Sequence, residues 1–330
     1  MTQPLLSVTS LTIGVRRPKR ADTIIVDDLS FDIQRGERFG IVGESGSGKS
    51  LTLRAIADLL PAGVEVLSGS IRYDGVELIG METPARRRLM GPEIAMIFQE
   101  PMTALNPVIR VGEQIAEGPR RYLGLSKKDA MKLAIEMMAK TGIPDPARRA
   151  RAYPHELSGG LRQRIMIAMA LSCGPKLLLC DEPTTALDVT VQHQVLRVLE
   201  ELCADSGASL AFVTHDLAVV NQTCSDLAVM YSGHIVESGR VKDVFSDPRH
   251  PYTKGLLDSA PDFDQPEREL VPIPGFPPNL AARPDGCPFA PRCAFAVDAC
   301  RVAMPPSVLV APGHEAACIQ SRSIFEEVAA

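Results

Sequence analysis

Gly43-Glu44-Ser45-Gly46-Ser47-Gly48-Lys49-Ser50 fits the pattern G-x-x-x-x-G-K-[ST]. The apolar run Phe39-Gly40-Ile41-Val42 precedes it, and a helical pattern from Leu51 to Leu60 follows. That strand–loop–helix context is what a phosphate-binding loop requires. The glycines let backbone N–H groups from Gly43 through Ser45, Gly46, Ser47 and Gly48 curl around phosphate oxygens, and the helix N-terminus adds partial positive charge. In this pattern Lys49 reaches the β- and γ-phosphates and the Ser50 hydroxyl binds Mg²⁺. The bland alternative is a flexible Gly/Ser loop, and the flanking strand and helix weigh against it.

A second set of residues completes such a site. Leu177-Leu178-Leu179-Cys180-Asp181-Glu182 is an apolar strand ending in two carboxylates. Asp181 suits the Mg²⁺ shell, and Glu182 suits a general base polarising an attacking water. Gln99 follows the apolar run Ile94-Ala95-Met96-Ile97-Phe98, and His215 follows Leu210 to Thr214. Both stand where the strands of an open α/β sheet deliver side chains to a ligand. His215 would hydrogen-bond the γ-phosphate. Gln99 would sense Mg²⁺ and the attacking water without adding charge. Leu157-Ser158-Gly159-Gly160 opens a helix over Leu161 to Leu171, and its exposed N–H groups offer a second anion cradle. One phosphate loop needs one cradle, so the second implies that two chains share each nucleotide.

The rest of the sequence sets the frame. Its 330 residues suggest about two domains, and 45 % hydrophobic with 23 % charged residues is ordinary globular usage. A net charge of −5 argues against nucleic acid as a partner. No run approaches the roughly 20 apolar residues of a membrane span. Met1 to Ser10 has no basic region followed by an apolar stretch, so a cytosolic chain is expected. In that compartment the 8 cysteines are not expected to form structural disulfides.

Strand-like runs alternating with helical patterns predict βαβ units and a parallel sheet. Leu6 to Gln34, and Ser70 to Leu78 with a turn at Asp74-Gly75, read as peripheral antiparallel strands. Val111 to Arg151 reads as mostly helical, with Ser126 capping a helix over Lys127 to Lys140. Proline marks a boundary, because 14 of the 27 fall after residue 247. From Pro248 onward the pattern predicts loops. That tail contains Cys287, Cys293, Cys300 and Cys318 in the spacing C-x5-C-x6-C-x17-C. Cys173, Cys180, Cys203 and Cys224 stand in apolar or helical contexts and read as buried small residues. All-sulfur ligation suits Zn²⁺ or an iron–sulfur cluster. Structural zinc usually brings ligands paired two to four residues apart, and the wide spacings here fit a cluster better. Zinc and free or disulfide-bonded thiols stay open as alternatives.

Together these residues resemble the ATP-binding subunit of ABC transporters over about residues 5–245. The shared motifs are the Walker A loop (43–50), the Q-loop at Gln99, the signature (157–160), the Walker B Asp181 with Glu182, the D-loop Ala186-Leu187-Asp188 and the H-loop His215. Three further stretches are similar to the oligopeptide/dipeptide/nickel importer subfamily. They are Gln99-Glu100-Pro101-Met102-Thr103-Ala104-Leu105-Asn106-Pro107, His250-Pro251-Tyr252-Thr253-Lys254-Gly255-Leu256-Leu257 and Ile273-Pro274-Gly275-Phe276-Pro277-Pro278-Asn279-Leu280.

The resemblance implies an α/β P-loop NTPase fold, an ABC nucleotide-binding domain with a mixed sheet core, an antiparallel β subdomain and a helical subdomain. The ATP-binding domain is expected over 1–247, with the helical subdomain at about 100–165. A proline-rich, loop-rich C-terminal domain carrying the four-cysteine site is expected over 248–330. ATP and Mg²⁺ are the implied cofactors. Gly43, Ser45 to Ser50, Ser158, Gly159, Gly160 and Asp188 would line the nucleotide, Ser50, Gln99 and Asp181 would serve Mg²⁺, and Glu182, His215 and Gln99 would be catalytic. Some members carry a [4Fe–4S] cluster on such a tail, which the four tail cysteines would hold. The implied function is ATP hydrolysis energising import of di- or oligopeptides. Nickel or another small solute, or a soluble non-transport ABC ATPase, are the alternatives. Implied partners are two transmembrane permease subunits, an extracytoplasmic solute-binding protein, and a second ATPase that is a homologue or another copy. The implied place is peripheral, on the cytoplasmic face of the inner membrane. Two departures stand out: Leu161 replaces the usual Gln of the signature, and no adenine-stacking aromatic stands near Val15, where Arg16 and Arg17 follow.

Overall fold

In the computed structural model, which describes residues 3–17, 21–184, 188–260, 270–280 and 283–321, the chain divides into two units. The first comprises 1–33, 38–79 and 213–330, and the second 34–37 and 80–212.

The first unit begins with strand β1 (Leu6–Val15), which pairs antiparallel with β2 (Thr23–Ile33). Leu6, Val8, Leu11 and Ile13 are buried, and the step from Val8 to Leu11 breaks the two-residue alternation. A register shift between those two residues absorbs the odd step and keeps Leu11 and Ile13 on the core face. β4 (Glu65–Tyr73) pairs with the other edge of β1, and β5 (Val76–Glu77) closes a four-stranded sheet ordered β2-β1-β4-β5. The expected turn at Asp74-Gly75 joins β4 to β5, with both residues at positive φ as a two-residue hairpin of matching twist requires.

The same unit contains β3 (Arg38–Val42), the strand entering the phosphate loop. It runs parallel to β9 (Asp226–Tyr231), and β10 (His234–Arg240) returns antiparallel beside β9. β11 (Val308–Ala311) and β12 (His314–Ala316) extend this row in the order β11-β12-β10-β9-β3. These two strands and the helix Pro251–Ser259 correct the expectation that the tail is all loop. The strands are too short to show a pattern. They exist because β10 offers an edge and because buried Glu237 accepts from His314 Nε2 at 2.7 Å and from the His250 N–H at 2.9 Å.

The second unit holds β6 (Ile94–Ile97), parallel to β7 (Leu177–Asp181), with β8 (Ser209–Thr214) on the other side of β7. The last two residues of β8 belong to the first unit. Every residue of β7 and β8 is buried, which is why both read as unbroken apolar runs rather than alternations. The longer helices of the unit are Val111–Tyr122, Lys127–Lys140, Gly159–Leu171 and Val189–Ser206. Ser126 caps the second of these, its Oγ accepting from the Asp129 N–H at 3.1 Å. Among the described residues no helix is long and apolar enough to cross a membrane.

Candidate active site

The first unit builds the phosphate loop. β3 carries buried Ile41 and Val42 into Gly43, which sits at φ 151°. A Cβ on Gly43 would lie 2.0 Å from the Met230 carbonyl oxygen, so only glycine passes this point. The helix Lys49–Ala57 starts after Gly48 and has no acidic residue in its first turn, which leaves the positive end of its dipole available to an anion. Lys49 is buried at 4 % exposure, and its Nζ donates to the carbonyls of Gly43 at 2.7 Å and Glu44 at 3.0 Å. The ammonium is thus curled within its own loop. Ser45 and Gly46 are exposed, Ser47 is buried and Ser50 is half-buried at the helix start. His215, in the same unit, is exposed just past β8. Asp216 beside it caps the helix Leu217–Thr223 by accepting the Ala218 N–H at 2.9 Å, which fixes the backbone there. Arg16, beside the missing aromatic, pairs with Glu65 at 2.9 Å.

The second unit builds the other set. Asp181 is fully buried at the end of β7, and half-buried Glu182 follows at φ 46°. The Gln99 side chain, delivered by β6, donates its amide to Glu182 Oε2 at 3.1 Å. Ser158 and Gly159 are exposed at the start of their helix. With Gly160 and Asp188 they line one cavity of about 500 Å³. Gly160 is fixed by a close approach, since a Cβ there would lie 2.7 Å from Val191 Cγ1. Asp188 caps the helix Val189–Ser206, its Oδ1 accepting from the Val191 N–H at 3.0 Å. The D-loop residues Ala186 and Leu187 lie outside the described residues.

Several residues escaped the sequence reading. Arg164 lines the signature cavity and donates to the Gly142 carbonyl at 2.9 Å and to Gln194 at 2.7 Å. Gln163, 1 % exposed, donates to the Pro183 carbonyl just after Glu182. Both lie within four residues of the signature, and a glutamine just before an apolar helical run was the available signal. Glu44 of the phosphate loop is gripped by Arg292, and nothing in the sequence pointed to that pair.

The four tail cysteines converge. Cys287, Cys293, Cys300 and Cys318 line one cavity of about 20 Å³ together with Phe289 and Phe295, room for about one water. Burial pushes the thiols of Cys287 and Cys293 up, and that of Cys318 up to about 11. Among the described residues no three His, Cys, Asp or Glu side chains form a metal-holding group. Of the remaining cysteines, Cys180, Cys203 and Cys224 are buried as expected, and Cys173 is only partly so.

Residues 26–185 match the ABC transporter family, and residues 236–300 match the C-terminal region of oligopeptide/dipeptide transporters. The chain belongs to the ATP-binding subunits of ABC transporters, in the oligopeptide/dipeptide subfamily, a family of ATPases. It is 48 % identical, over 99 % of both chains, to a putative peptide import ATP-binding protein of Brucella melitensis. It is 45 % identical to the oligopeptide transport ATP-binding protein OppD of Salmonella typhimurium, over 96 % of this chain and 93 % of the relative. In fold it is similar to a dimeric, post-hydrolysis ATP-binding cassette bound to ADP and phosphate, with TM-score 0.64 and 24 % identity over 72 % of this chain and 98 % of that one. The cassette cbiO1 of Clostridium perfringens, part of the transporter complex cbiONQ, gives TM-score 0.63 and 26 % identity over 74 % of this chain and 92 % of that one. The expected α/β nucleotide-binding fold is therefore the one observed.

Proposed function

We propose that this chain is the ATP-hydrolysing subunit that energises import of di- or oligopeptides through an ABC transporter. The observation that carries the reading is one chain holding both a buried-lysine phosphate loop and a signature cavity, beside near-full-length identity to peptide import subunits. Lys49 and the N–H groups from Gly43 to Ser50 bind the terminal phosphates. Ser50, Asp181 and Gln99 would hold Mg²⁺, which neutralises charge on the phosphates when bound. Glu182 accepts a proton from the attacking water, Gln99 holds that carboxylate in place, and His215 orients the γ-phosphate side. Ser158, Gly159, Gly160 and Asp188 serve the nucleotide of a second ATPase, a homologue or another copy.

The helical segment near 100–165 and the Q-loop would meet two permease subunits, with the chain peripheral on the cytoplasmic face of the membrane. An extracytoplasmic binding protein would deliver the peptide. ATP drives the cycle by binding the closed pair better than the open one. The test is uptake of a labelled oligopeptide by cells lacking the chain. Wild type restores uptake and Glu182→Gln does not; uptake that never depended on the chain defeats the reading.

We propose further that Cys287, Cys293, Cys300 and Cys318, on the C-terminal domain over 248–330, hold a [4Fe–4S] cluster. The support is the donor set, four thiols facing one cavity without closely paired spacing; at about 20 Å³ that cavity would have to widen to admit the cluster. Anaerobic purification should give about four irons and four sulfides per chain, lost in Cys293→Ser. Zinc without sulfide, or no metal, defeats it and leaves the ATPase reading intact.

A further inference from the structure

Glu44 is the second residue of the phosphate loop, and its carboxylate is held by a residue 248 positions away. Arg292 grips it with both terminal nitrogens, Nη1 to Oε2 at 2.6 Å and Nη2 to Oε1 at 3.0 Å. The Arg292 side chain is 5 % exposed and that of Glu44 27 %, so the pair is partly withdrawn from water. Burial opposes the charge on Arg292, yet hydrogen bonds to Glu44 and Tyr231 hold its pKa above the ordinary arginine value. The Glu44 N–H donates to Tyr252 Oη at 2.8 Å. Tyr252 is itself seated by its neighbours. His250 Nδ1 accepts the Tyr252 N–H at 3.1 Å, and the Tyr252 ring packs on Tyr231 at 4.5 Å and on Phe289 at 5.4 Å. Burial keeps the phenol neutral.

A carboxylate inside a loop that cradles a polyphosphate is a like charge facing its ligand. Left unpaired it opposes binding; held in a bidentate fork it is neutralised and turned toward its partner. The tail therefore does two things to the loop: Arg292 cancels the charge of Glu44, and Tyr252 fixes its backbone.

We propose that Arg292 and Tyr252 are positioning residues for nucleotide binding, acting through Glu44, so that the phosphate loop is competent only with the C-terminal segment folded onto it. This rests on the reading of the loop as an ATP site. The test is equilibrium titration of the full-length chain with Mg-ATP. Arg292→Gln should raise Kd by about tenfold, because removing one partner of a part-buried pair leaves the other charge unpaired beside the phosphates. Adding Glu44→Gln to Arg292→Gln should return Kd to within about threefold of wild type, since the stranded charge is gone. A merely structural arginine would not be rescued in this way. Tyr252→Phe should raise Kd by about threefold or more through loss of one backbone anchor, and it keeps the test alive should Arg292→Gln fail to fold. Wild-type Kd in Arg292→Gln, a double variant as weak as the single, or wild-type Kd in Tyr252→Phe overturns the proposal. Failure of the wild type itself to bind, or binding undiminished by Lys49→Ala, would instead overturn the ATP-site reading.

Discussion

The amide of Gln99 donates to Glu182 Oε2 over 3.1 Å, joining the end of β6 to the residue just past β7. Glu182 holds φ 46°, a conformation costing of order 1–3 kcal/mol for a residue other than glycine. The strained backbone and the amide together fix where the carboxylate lies. Glu182→Gln should lower kcat by about 10²–10⁴-fold, the usual worth of a general base. Kd for Mg-ATP should stay within about threefold of wild type, because no phosphate contact is lost. Gln99→Ala should lower kcat by about tenfold by freeing the base. Single-turnover hydrolysis paired with nucleotide titration separates the two effects.

Lys49 should matter for binding rather than for folding. Its Nζ is supported by the Gly43 and Glu44 carbonyls, and a charged hydrogen bond to phosphate is worth about 1.5–3 kcal/mol. Lys49→Ala should therefore weaken Mg-ATP binding by about 10–100-fold. Fluorescent-nucleotide titration reads this directly.

Gly160 leaves no room for a side chain, with a Cβ 2.7 Å from Val191 Cγ1. Gly160→Val should cost about 1–3 kcal/mol in urea unfolding, as overpacking does. It should also abolish cooperative hydrolysis by the paired subunits while the chain's own phosphate loop still binds ATP. Wild-type hydrolysis in this variant would remove the signature cavity from the mechanism.

What the sequence carried was local. The run Leu177 to Cys180 ends in Asp181 because a strand buried on both faces is apolar throughout, and such a strand is visible without a partner. Ser126 announced its helix because capping is a contact three residues long. The glycine spacing of the phosphate loop is similarly short-range. Pairings across the chain left no local trace. Arg292 stands between proline and cysteine, and only the fold brings it to Glu44. β11 and β12 were invisible because strands this short take their conformation from the edge they pair with. Gln99 and Glu182 stand out by residue type and by their place after apolar strands, but their hydrogen bond left no trace in the sequence.

Stability should fall below about pH 6.5, and His234 is one cause. Burial, and then the charge of Arg283, depress its pKa below the ordinary 6.5, against the opposing pull of Asp27 and Asp28. Arg283 Nη1 lies 3.2 Å from His234 Nε2 and Asp27 Oδ2 lies 3.8 Å away. The unfolded chain then binds a proton near pH 6.5 that the folded chain refuses until lower pH. Stability is full above 6.5 and declines as pH falls toward the folded value. Urea titrations at pH 7.5 and 5.5 should show a smaller loss in His234→Asn than in wild type. Equal losses would remove His234 from the pH dependence.

ATP hydrolysis by this chain should be harnessed to peptide import. Its most direct measurement is the ATPase rate of the chain assembled with its permease subunits in proteoliposomes, with and without the peptide-loaded binding protein. The rate should rise severalfold with the loaded binding protein and fall by about 10²-fold or more in Glu182→Gln. A rate indifferent to peptide, or undiminished in Glu182→Gln, would contradict it.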